Sequence, residues 1–459
     1  MANYFFIGIG GSGMSPIAQT LAAQGHGVCG SDRNNDRGLN QASFDRLKAA
    51  GIKLFPQDGS GVAGCDFVVA SSAIEDTVPD MARARELSIR TLHRSQALAG
   101  IFNEKRGVAA GGTSGKTTIC GMTGALLTRA GLDPSIINGG VMKNFAADGM
   151  SGSARAGASD IIVIESDESD GSIVNYAPAV SIVSNITKDH KPIDELIEIF
   201  GKFVAAAREL AILNADCPKA SALRGLASNV VTYGLKPGAD IVAERVSLRP
   251  FSASFTVDGL EHNLQVPGAH NVSNALAAIA VGRHFGLDAQ AIRDGVEWFS
   301  GIARRFDLIG EARGVKVIDD FGHNPDKIRA TLEALDALPG ARHIVFQPHG
   351  FGPTKFMRDE LVDTFAAMLR PGADILYMPE IFYAGGSADK SISSADIIGE
   401  VEERGGAAKF FATRAEIAAP IAAAARPGDI VVVMGARDDT LPAFCRDILA
   451  ELSKTAPAG

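Results

Sequence analysis

Cysteine is scarce in this chain. Five of 459 residues are cysteine, at 29, 65, 120, 217 and 445, with no C-x-x-C spacing. That excludes a disulfide framework and a zinc ribbon, and it suits free thiols in a reducing cytosol. Long hydrophobic runs are also missing. No segment approaches the ~18 apolar residues that a membrane-spanning helix needs. The opening residues carry no basic stretch ahead of an apolar core, as a secretory signal would. A cytoplasmic protein with no membrane partner is expected. Basic charge is not in excess either: 44 Lys and Arg face 53 Asp and Glu, a net of −9. A nucleic acid is therefore not an expected partner, although a local basic pocket for phosphates is compatible with that total.

What is present is an ordinary globular composition, 46% hydrophobic and 21% charged, long enough for about three domains. Repeats of solenoid type are lacking, and the pattern is three α/β units in series. The most informative stretch is Gly111-Gly112-Thr113-Ser114-Gly115-Lys116-Thr117-Thr118. It follows an apolar run at 107–110 that reads as a strand, and it precedes a predicted helix over 119–130. Such a turn points backbone N–H groups at a phosphate, and the helix N-terminus adds partial positive charge. Lys116 can reach the β/γ-phosphates and Thr117 can place its hydroxyl on Mg²⁺. Ala110 stands where the full phosphate-loop spacing has glycine, so the match is to the shortened form G-T-x-G-K-T. An ordinary glycine-rich turn would leave the Gly-Lys-Thr-Thr run unexplained.

The N-terminal run at 4–9 reads as a central parallel strand. It leads into Gly8-Ile9-Gly10-Gly11-Ser12-Gly13, a G-x-G-x-x-G followed by a helix over 14–24. A strand at 27–30 ends in Ser31-Asp32, where a dinucleotide fold carries its ribose-binding acid. Taken alone, this unit would suit NAD and an oxidoreductase. That reading leaves the phosphate loop unexplained, as it does the acidic run Glu165-Ser166-Asp167-Glu168-Ser169-Asp170, which lies just past a strand at 161–164. Four acids at such a strand end suit a metal ligand of an α/β ATPase. A strand at 179–185 ends close to His190, a second candidate ligand. A long amphipathic helix is expected over 193–210 and a strand over 211–214. Alternating runs within 228–266 predict a small antiparallel sheet. His270-Asn271-Val272-Ser273-Asn274 opens an Ala-rich helix, where the two amides could cap the helix or read an adenine edge. Arg304-Arg305 could hold a phosphate. Strands are expected at 315–318, 343–347, 375–378 and 430–434, and polar residues cluster after nearly every one, so this edge of the third unit should face a ligand.

These motifs together resemble the Mur ligases, the ATP-dependent amide-forming enzymes of peptidoglycan synthesis, over nearly the whole chain. The resemblance rests on residues 112–118, 165–170, 270–274 and 319–325. The first domain, with Gly8 to Gly13, Ser31-Asp32 and Ser71-Ser72, resembles the family's alanine-adding branch and the related branch that recycles murein tripeptide. The implied fold is α/β in three domains: a Rossmann-like UDP-sugar domain at 1–105, a central P-loop-type ATPase domain with a parallel sheet plus a small antiparallel sheet at 106–303, and a Rossmann-like closing domain at 304–459. The implied reaction joins the carboxylate of UDP-N-acetylmuramate to an amino acid, L-alanine, through an acyl phosphate, with release of ADP and phosphate. The alternative adds the peptide L-Ala-γ-D-Glu-meso-diaminopimelate, or a different amino acid, to this or a similar sugar nucleotide. The implied cofactors are ATP and Mg²⁺, or Mn²⁺ in its place, in a monomer or homodimer.

The resemblance also implies site roles. Gly10, Gly11, Ser12, Gly13, Asp32, Ser71 and Ser72 would hold the UDP-sugar. Gly112, Thr113, Ser114, Gly115, Lys116, Thr117 and Thr118, with His270, Asn271, Asn274, Arg305 and Asp320, would hold ATP. Thr117, Glu168 and His190 would ligate the metal. Lys116, Glu168, His190 and His323 would act in catalysis, and His323, His349 and Lys355 would meet the amino acid. The chain departs from the alanine-adding branch at Ser114 and Asn324, each a histidine there. It also departs at Gly350 and Pro353, where that branch carries arginines.

Overall fold

A computed structural model describes all residues except 73, 147–151, 170, 188–190, 337, 384–389 and 455–459. The chain forms two compact units, Met1–Ile302 and Ala303–Gly459. The first unit holds three sheets. In the first, β1 (Asn3–Ile7), β2 (Gly27–Ser31), β3 (Lys53–Phe55), β4 (Phe67–Ala70) and β5 (Arg90–His93) lie in the order 3-2-1-4-5, all parallel. The second contains β6 (Arg106–Gly111), β7 (Ser135–Ile137), β8 (Ala154–Arg155), β9 (Ile161–Glu165), β10 (Val180–Val183), β11 (Leu210–Asn214), β12 (Val230–Gly234) and β13 (Ile241–Val242). Its order is 13-12-11-10-6-9-7-8, with β8 its antiparallel edge. The third is a three-stranded antiparallel sheet, Glu244–Arg249, Ser252–Val257 and Leu260–Leu264.

Strands buried on both faces are apolar throughout, as β6 and β9 are, because helices cover both sides of a parallel sheet. One face of the second sheet packs on Ile119, Leu126 and Leu276. The other shares an apolar cluster with the first sheet, in which Phe6, Ile17 and Leu98 sit with Ile162, Val183 and Phe203. In the second unit, six strands lie in the order Asp307–Ala312, Val315–Asp320, Ile430–Met434, Arg342–Phe346, Ile375–Pro379, Ala408–Phe411. The first of these is an antiparallel edge and the rest are parallel.

The α/β class and three-part architecture expected from the sequence are present. Several local expectations are corrected. The helix expected over 193–210 is Ile193–Ala205. The apolar period continues to Leu210, but Glu209 N–H donates to the Ala179 carbonyl, and Arg106 forks onto the Glu209 carboxylate at 2.6–3.0 Å. Leu210 is thereby drawn into the sheet. The runs at 230–233 and 241–242 are not part of the antiparallel sheet; they extend the large sheet in parallel. Asp240 accepts from both Thr232 N and Oγ1, at 2.8 and 2.6 Å, which folds the connection back on itself. Alternation of polar and apolar residues marks a half-exposed strand without fixing its partner. The short β3 and the strands Asp307–Ala312 and Ala408–Phe411 were not expected. The phosphate-loop helix starts at Lys116, not at 119.

Arg342 is 1% exposed at the core of the second unit. It donates to Asp374 at 2.5 and 2.8 Å, to Asp336 at 2.7 Å and to the carbonyls of Leu332 and Met368. Burial would raise the Asp374 carboxyl, but hydrogen bonds from Arg370 and Arg342 hold it at about 2, below its ordinary 3.8. Its folded pKa lies below the unfolded one, so its stabilisation is complete above pH 3.8 and is lost as pH falls toward 2. Scanning calorimetry should show Arg342→Ala lowering stability by about 3 kcal/mol, the cost of stranding a buried charge. Asp374→Asn should flatten the acid dependence between pH 4 and 2; an unchanged acid limb would refute the assignment.

Candidate active site

The phosphate loop is built by backbone demands that only glycine meets. Gly112 has φ +125°, and a Cβ there would lie 2.1 Å from Ser184 Oγ. At Gly115, φ +90°, a Cβ would lie 2.7 Å from Asn274 Oδ1. The end of β10 clamps the loop. Thr113 N donates to the Asn185 carbonyl, Thr113 Oγ1 and Ser114 N donate to Asn185 Oδ1 at 2.6 and 3.0 Å, and Ser184 Oγ donates to the Ser114 carbonyl at 2.5 Å. The helix Lys116–Arg129 starts directly behind it, with Thr118 in its first turn.

Lys116 Nζ donates to the Gly112 carbonyl and to Glu168 Oε2, both at 2.8 Å. Glu168 is 2% exposed. Burial raises its pKa, and the Lys116 ammonium opposes that rise. At the neighbouring Asp167, burial also pushes upward, but the Ser169 N–H with Lys116 and Arg94 brings the net shift below the ordinary value. Thr117 Oγ1 donates to Glu165 Oε1 at 3.0 Å, and Glu165 Oε2 accepts from Gly139 N. Two acids of the run therefore divide the work: Glu165 holds Thr117 and Glu168 holds Lys116. The sequence placed Thr117 with Glu168; it did not single out Glu165, the last residue of β9.

Among the described residues no three His, Cys, Asp or Glu converge as a ready cage. Mg²⁺ in phosphoryl-transfer sites takes only one or two protein carboxylates, with phosphate oxygens and water completing the octahedron. The Thr117 hydroxyl and the Glu165 and Glu168 carboxylates are hard oxygen donors of that kind. His190 and Asp170 lie outside the described residues.

Asn271 and Asn274 do not cap the helix they open. The helix Ala269–His284 is capped at Gly268 without a side-chain hydrogen bond. Asn271 Nδ2 donates to the Pro267 carbonyl and Asn274 Nδ2 to Asn271 Oδ1, which leaves Asn274 Oδ1 against the phosphate loop at Gly115. His270 is exposed at the helix start.

In the first sheet, Asp32 spends both oxygens on backbone. Oδ2 accepts from Gly10 N at 2.9 Å and Oδ1 from Asn34 N at 2.8 Å. It shapes the turn in which Gly11 and Ser12 are exposed. Ser71 is half-buried and Ser72 exposed at the end of β4. Arg94, absent from the sequence expectations, approaches this turn closely: a Cβ on Gly13 would lie 2.9 Å from its Nη1. Its Nη2 is 3.8 Å from Asp167 Oδ2. Arg94 thus links the glycine turn of the first sheet to the acidic strand end of the second. One arginine at a helix start carries no pattern, so the sequence offered no signal for it.

In the second unit, Asp320 Oδ2 accepts from Phe306 N at 2.7 Å, and Oδ1 accepts from Gly322 N and Thr331 Oγ1 at 2.8 and 2.9 Å. Arg305 is exposed, its guanidinium 5.1 Å from the Phe321 ring centre. Arg304 turns inward, donating to the Gly435 carbonyl and approaching the buried Asp319 at 3.6 Å. His323 and His349 meet edge to face at 5.6 Å. Burial lowers His323 to about 4. Its Nδ1 faces the Phe321 carbonyl at 2.9 Å, and a carbonyl only accepts. The neutral ring therefore carries its proton on Nδ1 and offers Nε2 as an acceptor. Lys355 Nζ donates to Ser391 Oγ. Two of the departures, Asn324 and Gly350, have local reasons. Asn324 Oδ1 caps the helix Pro325–Leu335. Gly350 has φ +73° at the start of Phe351–Phe356, where an L side chain would be strained.

A glycine loop ending in Lys-Thr at a helix start, beside acidic strand ends, defines a nucleotide-dependent phosphoryl-transfer enzyme. Comparison with known proteins narrows the class. Residues 3–106 match the Mur ligase family catalytic domain, 111–282 the Mur ligase middle domain, and 304–437 the Mur ligase glutamate ligase domain. The chain is 35% identical over 451 residues to UDP-N-acetylmuramate–L-alanine ligase of Pelotomaculum thermopropionicum, covering 94% of each. It is 36% identical over 448 residues to the enzyme of that name from Geotalea uraniireducens, again covering 94% of each. The crystal structure of UDP-N-acetylmuramate-alanine ligase from Thermotoga maritima superposes with a TM-score of 0.82 at 25% identity, covering 99% of this chain and 100% of that one. The chain belongs to the Mur ligase family, whose members are ATP-dependent, ADP-forming ligases.

Lys116→Ala should reduce ATP-dependent turnover by roughly 10² or more, the usual cost of losing one donor to developing negative charge. It should also lower the thermal midpoint, because Glu168 is left buried and unpaired. Lys116→Ala with Glu168→Gln should recover the midpoint but not the turnover. Recovery of both would remove the pair from catalysis.

Proposed function

We propose that this chain joins L-alanine to the carboxylate of UDP-N-acetylmuramate at the expense of ATP. The observation that carries the reading is 34–36% identity, over 92–98% of their length, to relatives that bear this name. Domain borders near 105 and 303 fit the spans of the three family matches. Among the described residues no helix is long and apolar enough to cross a membrane, in keeping with a cytoplasmic enzyme.

A carboxylate is a poor acyl donor, so its oxygen first takes the γ-phosphoryl group of ATP, and ADP leaves. The amine nitrogen then attacks the acyl carbon, a tetrahedral intermediate forms, and phosphate leaves with the former carboxylate oxygen. Both steps gather negative charge on oxygen. Lys116 leaves the Gly112 carbonyl and Glu168 to meet the phosphates, and the loop amides with the helix N-terminus hold them in line. Mg²⁺, when bound, would supply charge neutralisation at the phosphates; Thr117, Glu168 and His190, with Glu165 beside Thr117, are its proposed holders. Asn271 and Asn274 buttress the loop on the adenine side, with His270 at the nucleotide's rim. The turn Gly10 to Gly13, shaped by Asp32, and Ser71-Ser72 receive the UDP moiety. Arg94 sits between that turn and the acids, where a sugar-nucleotide phosphate or carboxylate would pass. His323 accepts from the incoming ammonium through Nε2, beside His349 and Lys355.

The test is phosphate release from ATP, Mg²⁺ and UDP-N-acetylmuramate with each amino acid and with L-Ala-γ-D-Glu-meso-diaminopimelate. L-alanine alone should support turnover. Release only with the tripeptide or another amino acid would move the chain to that substrate, and silence throughout would refute the sugar nucleotide. In the working assay, Arg94→Ala should raise KM for the sugar nucleotide about tenfold, the loss of one charge-assisted contact, and leave KM for ATP unchanged. Equal effects on both would place Arg94 elsewhere.

A further inference from the structure

Two of the five cysteines meet away from this chemistry. Cys29 on β2 and Cys65, at the end of a turn leading into β4, bring their sulfurs within 3.6 Å. The turn is fixed at both ends. Gly61 is walled by Phe5 and Phe55, where a Cβ would lie 2.5–2.6 Å from the rings, and Asp66 N donates to the Asn3 carbonyl. Between them Ala63 and Gly64 are exposed, and an added Cβ at Gly64 would meet nothing within 4 Å. Cys65 is therefore half-buried on a solvent-facing turn, with Cys29, equally half-buried, beside it. The remaining cysteines have no thiol partner among the described residues. Cys120 and Cys445 are buried, and Cys217 Sγ accepts from Ile186 N.

The two thiols are unequal. The contact with Cys29 favours the Cys65 thiolate, against burial and the nearby Asp66, and the net shift is downward; Cys29 Sγ also donates to the Tyr4 carbonyl at 3.5 Å. The same contact and burial push Cys29 upward, with Lys53 opposing. Both thiols are half-buried; the one with the lowered pKa attacks, and its neighbour resolves.

We propose that Cys29 and Cys65 form a peroxide-reactive dithiol site that closes reversibly to a disulfide. The Cys65 thiolate attacks one oxygen of a hydroperoxide. An S–O bond forms, the O–O bond breaks, and water leaves (an alcohol if the peroxide is organic). Cys29 sulfur then attacks the sulfenic sulfur, the S–S bond forms, and the hydroxyl leaves as a second water. Two thiols lose two electrons and two protons in total, and the peroxide takes both. A small-molecule dithiol reverses the step by exchange. Closure draws the sulfurs from 3.6 Å to the ~2.05 Å of a disulfide.

This site is independent of the ligase reading, so its test needs no substrate. The full-length reduced protein is treated with hydrogen peroxide near stoichiometry. Two of the five thiols should disappear, with a loss of about two mass units. A non-reducing tryptic map should join the peptide holding Cys29 to that holding Cys65, and dithiothreitol should separate them. In Cys29→Ser, Cys65 should stop at the sulfenic acid and be trapped by dimedone. In Cys65→Ser, Cys29 should stay unmodified. Oxygen addition to Cys65 without the joined peptide, or thiol loss at Cys217 instead, would overturn the proposal. The two variants retain a small polar side chain, and circular dichroism checks their fold.

Discussion

The first unit turns on one ion pair, Lys116 with Glu168, held at 2.8 Å where a helix begins and a strand has just ended. A buried carboxylate is costly unless a cation and hydrogen bonds repay its lost hydration. Here the cation comes from the phosphate loop itself, so the loop and the acidic run cannot be placed independently. Lys116 also takes the Gly112 carbonyl, which draws the ammonium back over its own loop. A phosphate entering the loop offers the same ammonium a doubly charged partner. The loop carbonyl and the acidic run thus share one ammonium, which ties the two segments together.

The loop itself is held by the neighbouring strand. Ser184 and Asn185, at the end of β10, bind the loop from outside, and Gly112 fits because Ser184 fills the space a Cβ would need. Parallel sheets put such residues side by side, since each strand delivers its last residues to one edge. Glu165 ends β9, Ser184 follows β10, and the glycine loop follows β6, which lies between them. The site is therefore a consequence of strand order as much as of motif.

The same logic explains what could be read from the sequence. The loop and the acidic run were legible because doubly buried strands are unbroken apolar runs with abrupt polar ends. The strands at 230–234 and 241–242 were visible as strands but assigned to the wrong sheet, since period-two alternation is the same for parallel and antiparallel partners. β3 is three residues long and too brief to show a period. The end of the helix at Ala205 depended on the Arg106–Glu209 contact, which joins residues far apart in sequence. Arg94, Glu165 as the partner of Thr117, and the facing rings of His323 and His349 share that reason: each is defined by a neighbour the sequence does not adjoin. Asp32 was legible in position, but its carboxylate serves the turn's own amides.

The departures in the second unit separate backbone demands from recognition. Asn324 satisfies an N–H at a helix start, a need that a histidine side chain meets less directly. Gly350 sits at φ +73°, ψ 128°, where an arginine would pay for its guanidinium in backbone strain. Its N–H also donates to the Phe382 carbonyl, which fixes the segment beside His349. Charge that an arginine would carry at 350 is thus precluded by the local turn. The nearby Lys355 ammonium is held by Ser391. The backbone conformation at 350 is one that glycine adopts without strain and an arginine does not.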